Sequence, residues 1–137
     1  MNQNKEVLER VLTGVHMGIE AIEEVKQDIK DPHFYDRLIH QERDYRLLKE
    51  ACELRLSKDK EPSKIETLML KSMIKMKKRH HEDAHHISKM LMEGSLQAIM
   101  EMYTLLNRYE VDYEVKTICE QFLELSKQHM EQWKEYL

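Results

Sequence analysis

Hydrophobic positions recur at steps of three and four along almost the whole chain. Leu8, Val11, Leu12, Val15, Ile19, Ile22 and Val25 form one such series, with Glu9, Glu20, Glu23 and Lys26 beside or opposite it. That period predicts an amphipathic helix from about Lys5 to Ile29. Asp31-Pro32 ends it, because proline disfavours helical geometry in the residue before it. The same pair suits the start of a second helix, with Asp31 as N-cap and Pro32 in the first turn. Phe34, Leu38, Tyr45, Leu48, Cys52 and Leu56 then fall on one face, and the polar run from Ser57 to Pro62 closes the segment.

Ser63-Lys64-Ile65-Glu66 has the spacing of a capping box. It opens a shorter helix to about Lys78 with Ile65, Leu68, Met69, Met73 and Met76 inward, and Lys75, Lys77, Lys78 and Arg79 collect at its end, where the helix dipole favours cations. A polar patch from Arg79 to His86 precedes the most apolar stretch of the chain, Ile87 to Leu106. Its hydrophobic residues cover more than one face, which predicts a place at the centre of the molecule. The last helix is expected to begin near Asp112 and run to the C-terminus, striped by Val115, Ile118, Phe122, Leu125, His129, Trp133 and Tyr136. An alternative joins Ser63 to Arg108 in one long helix. A break near Arg79 to Asp83 is preferred, because uncapped helical patterns far beyond about 25 residues are uncommon in globular domains. Four long helices and a short one between the second and third predict an all-α fold. Its architecture would be a ferritin-like four-helix bundle with a helical crossover, residues 1–137 forming a single domain.

Composition narrows the function. With 137 residues the chain can bury a core in one domain. Only 3 Gly and 2 Pro occur, as expected for long helices. Charged residues make up 35% and the net charge is -4, so no basic surplus is available for phosphate neutralisation, and nucleic acid is not an expected partner. No apolar run is long enough for a membrane span, and no signal-peptide pattern opens the chain. Cys52 and Cys119 give no disulfide framework, which makes the cytoplasm the expected location.

Two patterns invite metal chemistry. His81-Glu82-Asp83-Ala84-His85 matches H-E-x-x-H, in which His81 and His85 would share a helix face and ligate zinc with Glu82 as general base. Asp83 inside the motif, the absence of a strand-rich substrate region and the neighbouring His80 and His86 favour a solvated polar junction instead. The second pattern is the dinuclear site of ferritin-like oxidases, which takes one Glu from each of two helices and Glu-x-x-His from the other two. Here Glu20, Glu42, Glu101 and His129 are the available donors for iron or manganese. Tyr45 stands where the second helix needs histidine, and Ser126 stands three residues before His129 where glutamate is needed. No helix carries Glu-x-x-His. The expected state of these residues is therefore polar side chains at helix edges, with no cofactor. The methionines and the two cysteines read as core filler. Gly94 and Ala98 form a small-xxx-small pair that predicts tight helix packing or, less often, a homodimer contact.

His16-Met17-Gly18-Ile19, the stretch from Ala84 to Ser95 and the ending Trp133-Lys134-Glu135-Tyr136-Leu137 together resemble ferritin-like four-helix-bundle proteins of unknown function from anaerobic, spore-forming bacteria. The resemblance implies the bundle fold and a bacterial cytoplasm, and it supplies no active-site residue. The expected role is that of a non-enzymatic structural or interaction protein with a degenerate metal site. A metal-carboxylate oxidase or metal-binding protein is the alternative, and a zinc peptidase comes third.

Overall fold

A computed structural model describes residues 3–57 and 84–137. These form four helices, α1 (Gln3–Lys26), α2 (Pro32–Ser57), α3 (Ala84–Arg108) and α4 (Tyr113–Trp133), and a terminal 3-10 turn, Lys134–Tyr136. No strand occurs among the described residues, and no described helix is long and apolar enough to cross a membrane. The capping box at Ser63, the short helix after it and the junction up to Asp83 lie outside the described residues.

The period-3.6 stripes become the core. Val7, Leu8, Val11, Leu12, Val15, Ile19, Ile22 and Val25 of α1 are buried. So are Phe34, Leu38, Tyr45, Leu48 and Cys52 of α2, and Val115, Ile118, Phe122, His129 and Trp133 of α4. The helix starts follow the local chemistry. Asp31 Oδ1 accepts from the His33 amide at 2.9 Å, and Asp112 Oδ1 accepts from the Val115 amide at 2.9 Å. Both satisfy donors that a helix N-terminus leaves open.

α3 differs from the expectation. Among its described residues only Ile87, Ser88, Ile99 and Met102 are buried, while Leu96, Met100 and Tyr103 are exposed. α1 and α4 are the helices that each contact all three of the others. An apolar residue is buried only if a neighbouring element covers it, and among the described elements α3 has more apolar faces than neighbours.

Cross-helix pairs give the directions. Gln3 accepts from the Glu110 amide and Glu6 accepts from the Tyr109 hydroxyl, so α1 and α3 run antiparallel. Arg37 pairs with Glu135 at 2.8 Å, and Arg55 pairs with Asp112 at 2.6 Å, so α2 and α4 are antiparallel as well. Short connections make α1–α2 and α3–α4 antiparallel hairpins. α1 and α4 therefore run in one direction and α2 and α3 in the other, while α2 and α3 share no comparable interface. Ser57 and Ala84 lie at opposite ends of the bundle. At one of those ends Trp133 stacks with Phe34 at 5.3 Å between ring centroids, and Tyr136 meets Phe34 edge-on at 4.3 Å.

At the other end Asp112 ties three helices. Besides capping α4 it accepts from Asn4 Nδ2 of α1 at 3.1 Å and from Arg55 of α2 at 2.6 Å. Asp112→Ala removes the cap and both ties. It is expected to lower the unfolding free energy by about 1–2 kcal/mol, mostly through the cap because the ion pair is half-exposed. Urea denaturation checks this, and Asp112→Asn should recover most of the loss.

Candidate functional site

Three of the four candidate metal donors, Glu42, Glu101 and His129, lie on separate seams. Glu42, on the seam between α1 and α2, accepts from Lys26 Nζ and from Arg46 Nε, both at 3.1 Å. Arg46 also pairs with Glu23. Glu101, on the seam between α1 and α3, faces Arg10 at 3.7 Å and accepts from Gln97 at 3.2 Å. His129 lies on the seam between α2 and α4, and Glu20 is half-buried on α1. Among the described residues no three His, Cys, Asp or Glu side chains are grouped so as to hold a metal ion. His81 and Glu82 of the H-E-x-x-H match lie outside the described residues. His85 is exposed in the first turn of α3, its ring edge-on to His86.

His129 occupies an unusual position. It is 1% exposed, its Nε2 lies 3.5 Å from Asp44 Oδ2, and its ring meets Tyr45 edge-on at 4.8 Å. Nδ1 has no hydrogen-bond partner among the described residues. Burial pushes its pKa below the usual histidine value, and the Asp44 carboxylate opposes that shift. Tyr45 is itself buried, hydrogen-bonded to Ser95 of α3, and its pKa is pushed up to about 12 by desolvation, so the phenol stays neutral. Cys52 and Cys119 are buried and free, with thiol pKa values raised to about 12 by burial, which removes nucleophilic character.

The feature that the sequence did not reveal is a cavity of about 420 Å³ among the four helices, open to solvent past Arg10, Met17, Gly94 and Gln97. Small residues make it. Gly14, Gly18 and Ala21 of α1 and Gly94, Ser95 and Ala98 of α3 all line it. On α1 the missing side chains admit aromatic rings. A Cβ at Gly18 would lie 2.6 Å from Tyr45 Cε2, and one at Gly14 would lie 2.8 Å from Phe122 Cζ. On α3 the opposite holds, since a Cβ at Gly94 would meet nothing within 4 Å. Of the Gly94–Ala98 pair, expected to mark close packing, Ala98 packs against the core while Gly94 is exposed. Met17, Ile22, Met90, Leu91, Met102 and Phe122 supply most of the remaining wall.

The polar groups of the cavity separate by depth. Arg10 and Glu101, half-exposed and facing each other, are its charged lining residues. Deeper lie Gln41 and Ser126, which are 2% and 1% exposed, together with the Tyr45–Ser95 pair. Gln41 Nε2 donates to Gln132 at 2.8 Å, whereas Ser126 Oγ finds no partner among the described residues. Ser126 had been legible only as the position where a carboxylate is missing. A concave, mainly apolar space with a few convergent polar groups has the build of a small-molecule site.

No protein-family model matches the chain, and no curated protein or solved structure matches it either.

The His129 shift gives a testable pH dependence. The folded state holds the imidazole neutral more strongly than the unfolded chain does, so this contribution to stability is complete above pH of about 6.5. It declines as pH falls below that value toward the depressed folded pKa. Denaturation midpoints measured from pH 7.5 to 5 are expected to fall more steeply for the wild type than for His129→Gln. Parallel curves would show that the imidazole is not the responsible group.

Proposed function

We propose that this chain is a non-enzymatic binding protein built on a ferritin-like bundle, in which the internal cavity has taken the place of a metal centre as the working site. The observation that carries this reading is the cavity itself. It is large enough for a compact organic molecule, and its interior is lined by apolar and uncharged groups.

The helix directions support the ferritin-like part of the proposal. The described helices form two antiparallel hairpins whose second and third helices run the same way on opposite corners. That is the arrangement of ferritin-like folds with one long crossover. The scattered donors support the non-enzymatic part. Glu42 and Glu101 already have cationic partners, and His129 is turned toward Asp44. Drawing them to a common centre would break those pairs and bring carboxylates into an apolar interior at a cost of several kcal/mol unless metal repaid it. A cytoplasmic location belongs to the same proposal, supported by the two free buried thiols.

Thermal denaturation of untagged protein with naphthalene, a rigid uncharged probe, tests the reading. A ligand that binds only the folded state raises the midpoint with concentration. A saturable rise is expected for the wild type, together with metal content far below one ion per chain. Two tightly held iron or manganese ions per chain would overturn the proposal in favour of an oxidase.

A further inference from the structure

We infer that the cavity takes an α-amino acid with a large apolar side chain, its carboxylate held by Arg10 and its ammonium by Glu101 at the mouth. This deepens the proposed function and rests on the cavity being the site.

The shape is the first observation. Lining residues run along α1 from Arg10 to Ile22, a length of about 18 Å at the rise of an α-helix. Among the described residues the charged groups of that lining are Arg10 and Glu101, which face each other across α1 and α3 at one end. Both are half-exposed, so that end opens to solvent. From there the wall passes Met17, Met90 and Leu91 to the buried Tyr45. A space with its charges at one open end and apolar walls beyond them fits a molecule with a charged head and an apolar body.

The second observation is how loosely the two charges are paired. Arg10 Nη1 and Glu101 Oε2 stand 3.7 Å apart, beyond hydrogen-bond distance. Lys26–Glu42, Arg37–Glu135 and Arg55–Asp112, which join other helices, close to 3.1 Å or less. Among the described residues Arg10 makes no hydrogen bond, and Glu101 accepts one, at Oε1 from Gln97 Nε2 at 3.2 Å. The five N–H donors of the guanidinium and the lone pairs of Glu101 Oε2 are thus open to a ligand.

The signs of the charges choose the head. A ligand with only a carboxylate on Arg10 would sit beside Glu101, and one with only an ammonium on Glu101 would sit beside Arg10. Each gains one attraction and meets one repulsion at similar range. A head that carries both charges on one carbon meets attraction on both sides and brings no net charge to the edge of an apolar space. The zwitterion of an α-amino acid is such a head.

The test compares four probes that share an indole body, by amide chemical-shift titration at neutral pH: tryptophan, indole-3-propionate, tryptamine and 3-methylindole. For the wild type, tryptophan is expected to bind about tenfold more tightly than 3-methylindole, about threefold for each half-exposed charge contact. The two singly charged probes should bind no more tightly than 3-methylindole. Arg10→Gln should abolish the preference for tryptophan and raise tryptamine affinity about threefold, whereas Glu101→Gln should abolish it and raise indole-3-propionate affinity by a similar factor. Unchanged 3-methylindole affinity in both variants shows that the cavity is intact. Tryptophan binding no tighter than 3-methylindole, or a singly charged probe binding tighter than tryptophan, would overturn the amino-acid inference while the cavity remains the binding site. Failure of all four probes would overturn the proposed function as well.

Discussion

Burial of one face of α1 between the other three helices is the constraint on which the rest of the molecule depends. Its stripe from Val7 to Val25 is almost completely removed from solvent, and each such aliphatic side chain contributes about 1.5–3 kcal/mol relative to exposure. α2 and α3 stand on opposite corners with α1 and α4 between them, so each is held by both of these helices. The ends of the bundle are then closed by different means. Aromatic stacking of Trp133, Phe34 and Tyr136 closes one end, and the polar ties of Asp112 close the other.

The cavity follows from the same arrangement. Among the described residues α2 and α3 do not pack directly, and the space between them receives what α1, α4 and their own side chains project into it. Tyr45 crosses it to reach Ser95, and its ring fits because position 18 has no Cβ. Beside it, at Gly94, nothing is projected inward. A close-packed interior would normally close over such a space, at a stability gain that grows with the volume removed. Keeping the volume sacrifices stability that a purely structural bundle would retain. That sacrifice is what gives the cavity its meaning as a site.

Much of the fold was legible in the sequence. The stripes of α1, α2 and α4 and the caps at Asp31 and Asp112 are local patterns, and local patterns predict helices well. α3 was misjudged because a helix apolar on several faces reads as central, although here part of that surface lines a cavity and part, at Leu96 and Met100, faces solvent. Gly94 was misjudged for a related reason: a small residue permits either an approach or a gap, and only the neighbour decides which. For the candidate metal residues, spacing along the chain could not reveal the partners. The pairs Glu42–Lys26, Glu101–Arg10 and His129–Asp44 each join different helices, the last across 85 positions. Ser126 was legible in sequence only as the place of a missing carboxylate, and its burial becomes visible only once its surroundings are known.

The central claim is that a preformed, accessible, mainly apolar space lies among the four helices and opens to solvent beside Gly94. A crystal of the protein pressurised with xenon tests it without assuming any ligand, because apolar cavities take up this gas. The account predicts xenon density within the space bounded by Gly18, Gly94, Phe122 and Trp133, with the helices unmoved. A bundle in which α3 has collapsed onto α1 and no xenon enters would contradict it.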